Sequence, residues 1–233
     1  MIIRAIVVAA AAVASLWQPV GAAGRVVSVP LGDGRSLAGL LIEATTRPAP
    51  AVVLVPMLGR HPEDWQAVAQ RLADANIHAL AIELPSTTLP ADAGALAAWH
   101  EGVRSAVAFL AGRPEDVRPG SIGIAGASLG ASLAVMAAAA DPGVRALALV
   151  SPSLEYRGLR IEPPLAAYGA RPALLMASVQ DPYAARSVRT LARADSGLRQ
   201  VQWSTVPAHG TLLLARDAAL VGILVEWFQQ MLG

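Results

Sequence analysis

The sequence predicts an α/β fold, a mostly parallel central sheet flanked by helices on both faces. Three observations carry this expectation. Short runs rich in aliphatic and β-branched residues recur along the chain, "AVVLVP" at 51–56 among them, and are apolar at every position, as a strand covered on both faces must be. Between them lie longer runs whose apolar residues fall three or four apart, the spacing of a helix with one buried stripe. The two patterns alternate, which makes successive strands parallel and the helices their crossovers. With 233 residues, 55% of them hydrophobic, the chain can bury a large core in one globular unit.

Residues 1–22 stand outside this pattern. "MIIR" is a short positively charged start, 5–17 is an uncharged and mostly apolar run, and "QPVGAAG" breaks it at a small-residue site. This is the layout of an export signal, with cleavage expected after Ala22 or Ala23. The expectation is an exported protein, periplasmic or secreted, with 23–233 as a single domain; the alternative is a membrane tether through an uncleaved N-terminal segment. The apolar run is shorter than the roughly 18 residues of a membrane span, so no stable membrane insertion is expected once the signal is gone.

The elements follow in order. "VVSVP" and "SLAGLLIEA" flank the turn signal "LGDGR" and make a first hairpin. The buried strand at 51–56 is followed by a helix over 61–77, opened by Pro62 and acidic residues. A strand at 78–85, a helix at 96–110, a strand at 121–126 and an alanine-rich helix at 129–141, stopped by "DPG", come next. Strands at 145–152 and 171–178, a helix at 184–195, a strand at 198–207 and a closing helix at 217–232 complete the series. The least regular stretch, 151–172, is expected to form a pocket-shaping excursion. Trp65, Trp99, Trp203 and Trp227 fit packing positions on these elements.

Composition removes several chemistries. There is no cysteine, hence no thiolate nucleophile, disulfide or iron–sulfur cluster. Lysine is absent as well, all 18 basic residues being arginine, so Schiff-base and serine–lysine catalysis are out. Loss of Arg4 with the signal leaves 17 basic and 17 acidic residues, a balance that recommends neither nucleic acid nor an anionic membrane as partner. No two of the four histidines have metal-ligand spacing, and the leucine- and alanine-rich helices read as core, so neither metal nor cofactor is expected.

One motif carries chemistry. "GIAGASLGAS" at 123–132 contains Gly-x-Ser-x-Gly centred on Ser128. With 20 glycines in the chain, about 0.1 such matches are expected by chance, so the pattern gains weight only from its setting. That setting is a strand, a sharp turn and a helix, the arrangement that exposes a nucleophilic serine. The turn strains the serine backbone and brings residues two positions either side into collision, which Gly126 and Gly130 avoid. The following helix aims its N–H groups and positive dipole end at the same place. The bland alternative is a glycine-rich turn that lets an alanine helix sit close to the sheet. Ser132 reads as a small packing residue.

On these residues the chain resembles the α/β-hydrolase fold family over essentially the whole mature region, and within it the small dienelactone-hydrolase-like serine esterases with a minimal cap. The resemblance implies the order nucleophile, acid, histidine, the acid after a late strand and the histidine after the last. "LLMASVQDPY" supplies Asp181 and "WSTVPAHGT" supplies His209 at those places. In that reading His209 takes the proton of Ser128, and Asp181 sets its tautomer. Asp181 also suits a helix N-cap before Pro182, and the two roles can overlap; Glu155 is the reserve acid. His61 near the oxyanion loop opens a helix or lines the entrance, while His78 opens a strand and His100 sits within a helix. The resemblance assigns oxyanion donors to the backbone N–H groups of Leu58, in "MLGR", and Leu129, although Pro56-Met57 departs from the His-Gly pair common among such proteins. Serine stands where dienelactone hydrolases proper carry cysteine, so a simple ester or thioester is the expected small-molecule substrate. Tyr156, Tyr168 and Tyr183 are candidate pocket residues. Acyl transfer or cofactor-free perhydrolysis on the same residues, and a non-catalytic binding protein, are the alternatives; a peptidase would need a larger cap. Oligomeric state is not legible.

Overall fold

The computed structural model describes residues 24–193 and 197–233; the expected export signal at 1–22 lies outside them. The chain opens with a hairpin of β1 (Arg25–Pro30) and β2 (Ser36–Ile42), followed by β3 (Ala49–Val55), a 3-10 turn (Pro62–Trp65), α1 (Gln66–Asp74) and β4 (His78–Ile82). Then come α2 (Ala93–Ala97), α3 (His100–Ala111), β5 (Val117–Ala127), α4 (Leu129–Ala140) and β6 (Val144–Val150). A small hairpin of β7 (Glu155–Tyr156) and β8 (Leu159–Arg160) with α5 (Glu162–Tyr168) fills the irregular stretch. It leads to β9 (Ala173–Ser178), α6 (Pro182–Leu191), β10 (Arg199–Ser204), α7 (Thr211–Arg216) and α8 (Ala218–Leu232).

Eight strands form one sheet in the order β1-β2-β4-β3-β5-β6-β9-β10. β2 alone runs against its neighbours; from β4 to β10 every pair is parallel. The uniformly apolar strands are explained by the two cores they face. Val52 and Leu54 of β3 pack with α1, α7 and α8 on one face, and Val53 and Val55 pack with α3, α4 and α6 on the other. Each face of β3 is covered, so alternation would leave a polar side chain buried without a partner.

The helix α4 lies so close to the sheet that nine of its twelve residues are buried, which its alanines permit. Its C-terminal end is closed from outside. Arg171 donates to the carbonyls of Ala138, Asp141 and Val144 at 2.7 to 2.8 Å, satisfying acceptors that a helix end leaves open.

Two expectations change. The single helix expected at 96–110 is two, α2 and α3. His100 Nδ1 donates to the Ala97 carbonyl at 2.7 Å, taking the acceptor that a continuous helix would give to the N–H of Glu101. Glu101 and Gly102 bond instead to Ala98 and Trp99, three residues back, and the axis breaks there. Tyr168 is also no pocket residue. It is buried, its hydroxyl donates to the Pro172 carbonyl at 2.9 Å, and the guanidinium of Arg171 stacks on its ring, all at the edge of the sheet where β9 begins. Burial among these groups pushes its phenol up to about 12.

Candidate active site

The last residue of β5 pairs with Val150, and Ser128 follows immediately, one residue beyond the C-terminal edge of a central strand. Its backbone is left-handed, φ 53° and ψ −118°, a conformation that costs a non-glycine residue about 1–3 kcal/mol and so marks a turn held by its surroundings. Part of that hold is a 2.9 Å hydrogen bond from the Ser128 N–H to the Val150 carbonyl. The flanking glycines are required by contact. A Cβ on Gly126 would sit 2.2 Å from the Gly130 carbonyl oxygen, and one on Gly130 would sit 2.4 Å from that of Pro56. The first collision is with the turn itself, as the spacing implies. The second is with the chain leaving β3, so Gly130 is needed to bring α4 against a neighbouring strand rather than to clear Gly126.

His209 lies five residues after β10 and Asp181 three after β9, so all three side chains project from the C-terminal ends of parallel strands. In open α/β sheets that edge is where crevices form. The Ser128 hydroxyl lies 2.9 Å from His209 Nε2, and Asp181 Oδ2 lies 2.5 Å from His209 Nδ1. A carboxylate only accepts, so Nδ1 carries the proton and Nε2 is left to accept from the serine. Asp181 serves two partners. Its other oxygen, Oδ1, accepts the Ala184 N–H at 3.2 Å and caps α6, so the N-cap and imidazole-facing positions coincide. The imidazole side chain is 37% exposed and that of Asp181 16%, so the carboxylate is the more shielded partner of the pair.

Several contacts fix the histidine loop. Ser204 Oγ donates to Asp217 Oδ2 at 2.5 Å and accepts from Val206 N–H at 3.0 Å; Gln180 Nε2 reaches the Thr205 carbonyl at 2.5 Å. Ser151, fully buried just after β6, accepts the Gly210 N–H on its Oγ at 3.0 Å. Nothing in the sequence around Ser151 announced this contact, which joins residues 59 apart.

The expected anion donors are both free. Among the described residues neither the Leu58 nor the Leu129 N–H has a hydrogen-bond partner. Leu129 begins α4, whose positive end faces Ser128, and Leu58 lies two residues past Pro56, the residue whose carbonyl touches Gly130. Met57 between them packs against Gly210, the neighbour of His209.

The other candidates make no hydrogen bond to Ser128, His209 or Asp181 among the described residues. Glu155 Oε1 accepts the Gly158 N–H within the β7–β8 turn, and is spoken for there. His61 precedes Pro62 at the start of the 3-10 turn and lines a cleft of about 170 Å³ with Arg60 and Glu83. His78 is buried at the far edge of the sheet, between Ala44 and Asp116. Tyr183 is exposed and donates to the Glu155 carbonyl at 2.9 Å, and Tyr156 is half-buried against the core. Ser132 is buried with its hydroxyl unpartnered. No group of three or more acidic or histidine side chains is placed to hold a metal among the described residues.

With sheet order, crossovers and elbow in view, the fold can be compared with known ones. A dienelactone hydrolase from Anabaena variabilis superposes with a TM-score of 0.72 at 20% identity, over 90% of this chain and 98% of that one. A thermostable carboxylesterase cloned from a metagenomic library gives 0.71 at 18% identity, covering 91% and 90%. An esterase from Pyrococcus furiosus gives 0.73 at 13%, covering 90% and 91%. The chain has the α/β-hydrolase fold. No protein-family model matches its sequence, and no curated protein does either.

Proposed function

We propose that the protein is a serine hydrolase that cleaves small carboxylic esters or thioesters through an acyl-enzyme. The observation that carries this reading is the hydrogen-bonded chain from Asp181 through His209 to Ser128, built on a left-handed serine at the mouth of a parallel sheet. Esterases and a dienelactone hydrolase among proteins of the same fold are consistent with it.

In this mechanism Ser128 Oγ attacks the substrate carbonyl carbon while His209 Nε2 removes the hydroxyl proton. The carbonyl oxygen becomes an oxyanion and takes hydrogen bonds from the Leu58 and Leu129 N–H groups, with the positive end of α4 behind them. Collapse breaks the bond to the leaving oxygen or sulfur, which receives the proton from Nε2. Water then attacks the acyl-serine, Nε2 takes its proton, and the acid leaves as that proton returns to Ser128. Asp181 stays ionised throughout and steadies the imidazolium. The export signal at 1–22 would place this activity in the periplasm or outside the cell.

A fluorophosphonate probe and a panel of nitrophenyl esters and thioesters of graded acyl length test the proposal. Wild type should be labelled stoichiometrically and Ser128→Ala not at all. Labelling that survives Ser128→Ala, or a wild-type protein that neither labels nor turns over any member of the panel, refutes it.

A further inference from the structure

Apart from glycines, four described residues have positive φ, and three of them are locally explained. Asn76, at the end of α1, accepts the Thr46 N–H on its side chain, and Arg157 shares the β7–β8 turn with Gly158. Ser128 is the elbow itself. The fourth is Ser151, φ 49°, which sits at no helix end and in no hairpin. It is the first residue after β6, and its backbone is one that glycine adopts freely and serine does not. What serine adds there over glycine is a hydroxyl.

That hydroxyl has one partner, the N–H of Gly210, the residue after His209. The chain around it is wired to the rest of the site. Val150, one residue earlier, accepts the N–H of Ser128 on its carbonyl at 2.9 Å. The N–H of Ser151 donates to the Met176 carbonyl at 2.7 Å, in the strand β9 that leads to Asp181. Two adjacent residues therefore hold the backbones that carry the serine and the histidine, and tie both to the strand that carries the carboxylate. Gly210 is itself left-handed, φ 58°, and Met57 closes its other side, so the Ser151 contact is its polar anchor.

We infer that Ser151 is a positioning residue of the active site: its hydroxyl, presented by a left-handed backbone, fixes the loop at Gly210 and thereby the distance and angle between His209 Nε2 and Ser128. The inference rests on the hydrolase reading above. It assigns Ser151 no contact with substrate. The contacts at 204–206 hold the loop before His209, and the Ser151 bond holds the residue immediately after it. Proton transfer demands that the imidazole be held in one place; the loss should fall on kcat, the step in which the proton moves, and leave KM in place.

The test compares Ser151→Gly with Ser151→Ala. Both remove the acceptor, but glycine relieves the left-handed backbone and alanine keeps it strained. Both variants should lose about tenfold in kcat on a short nitrophenyl ester with KM within about twofold of wild type, while only Ser151→Ala lowers Tm. Equal kcat in wild type and Ser151→Gly overturns the inference, as does a loss that follows Tm and appears in Ser151→Ala alone. A readout independent of turnover is the strongly deshielded Nδ1 proton of His209 in the proton NMR spectrum, sharp in wild type and broadened or lost in Ser151→Gly. An unaltered signal in that variant overturns the positioning role even if the protein proves inactive on esters, and an inactive wild type with the signal lost in Ser151→Gly overturns the hydrolase reading alone.

Discussion

Replacement of Asp181 by asparagine poses a choice that the structure lets one work through. The carboxylate accepts twice, from His209 Nδ1–H on one oxygen and from the Ala184 N–H on the other. Asparagine has one oxygen for two donors. With that oxygen toward His209 the imidazole keeps its tautomer, but the amide NH2 then faces the Ala184 N–H, and the N-cap of α6 is lost at about 1 kcal/mol with a donor-to-donor contact added. With the oxygen toward Ala184 the cap survives, the NH2 faces Nδ1, and the imidazole must move its proton to Nε2. The second arrangement leaves every polar group paired and is the expected one. It presents Ser128 with an N–H in place of a base, and a wrong tautomer in such an arrangement costs on the order of 10⁴ in kcat, about 5 kcal/mol. We therefore expect Asp181→Asn to be folded with nearly unchanged Tm and almost inactive, whereas Asp181→Ala is inactive and also less stable by about 1 kcal/mol, or ~2–4 °C in Tm. Asp92→Ala, which removes a cap on α2 and nothing else, supplies the stability reference without touching activity. The assay is ester turnover beside thermal denaturation. Asp181→Asn with more than about a tenth of wild-type kcat and a Tm lowered like that of Asp92→Ala would show that the oxygen stays with the histidine, and would refute the reasoning.

Three further outcomes are expected. Gly126→Ala, whose Cβ would lie 2.2 Å from a backbone oxygen, should displace the start of α4 and abolish fluorophosphonate labelling even where the protein still folds; normal labelling would show that the turn yields cheaply. His78 is held neutral by burial, which lowers its pKa from the ordinary 6.5; the nearby Arg47 charge adds to this, and the Asp116 carbonyl and the Glu43 and Asp116 charges oppose it. Because the unfolded chain takes up the proton first, this contribution is intact above pH 6.5 and is lost as pH falls through the lowered folded value. His78→Gln, able to accept from Ala44 and donate to Asp116 without titrating, should flatten the Tm profile below pH 6.5, and an unchanged slope would reject the assignment. Finally, N-terminal sequencing of the exported protein should begin at Ala23 or Gly24, and an intact Met1 would refute the signal assignment.

What the sequence determined by itself is local. Strand runs such as 51–56 are legible because burial on both faces demands unbroken apolarity, and the turn at Ser128 because its strand-to-helix setting leaves Gly126 no room for a side chain. The cap at Asp181 is legible too, since an N-cap is read from a few adjacent residues. Four decisions belonged to the tertiary structure alone. The sheet order, with β4 between β2 and β3, is a choice among strands of nearly equal apolarity. The break at Trp99 depends on which donor reaches the Ala97 carbonyl first, the His100 ring or a backbone N–H. Gly130 answers to β3, some 75 residues away along the chain. Ser151 is an ordinary serine until folding brings Gly210 against it. Three of these turn on contacts between distant parts of the chain, and the break at Trp99 on a competition between two donors for one carbonyl; a hydrogen bond or a collision at 3 Å leaves no periodicity in the sequence from which it could be read.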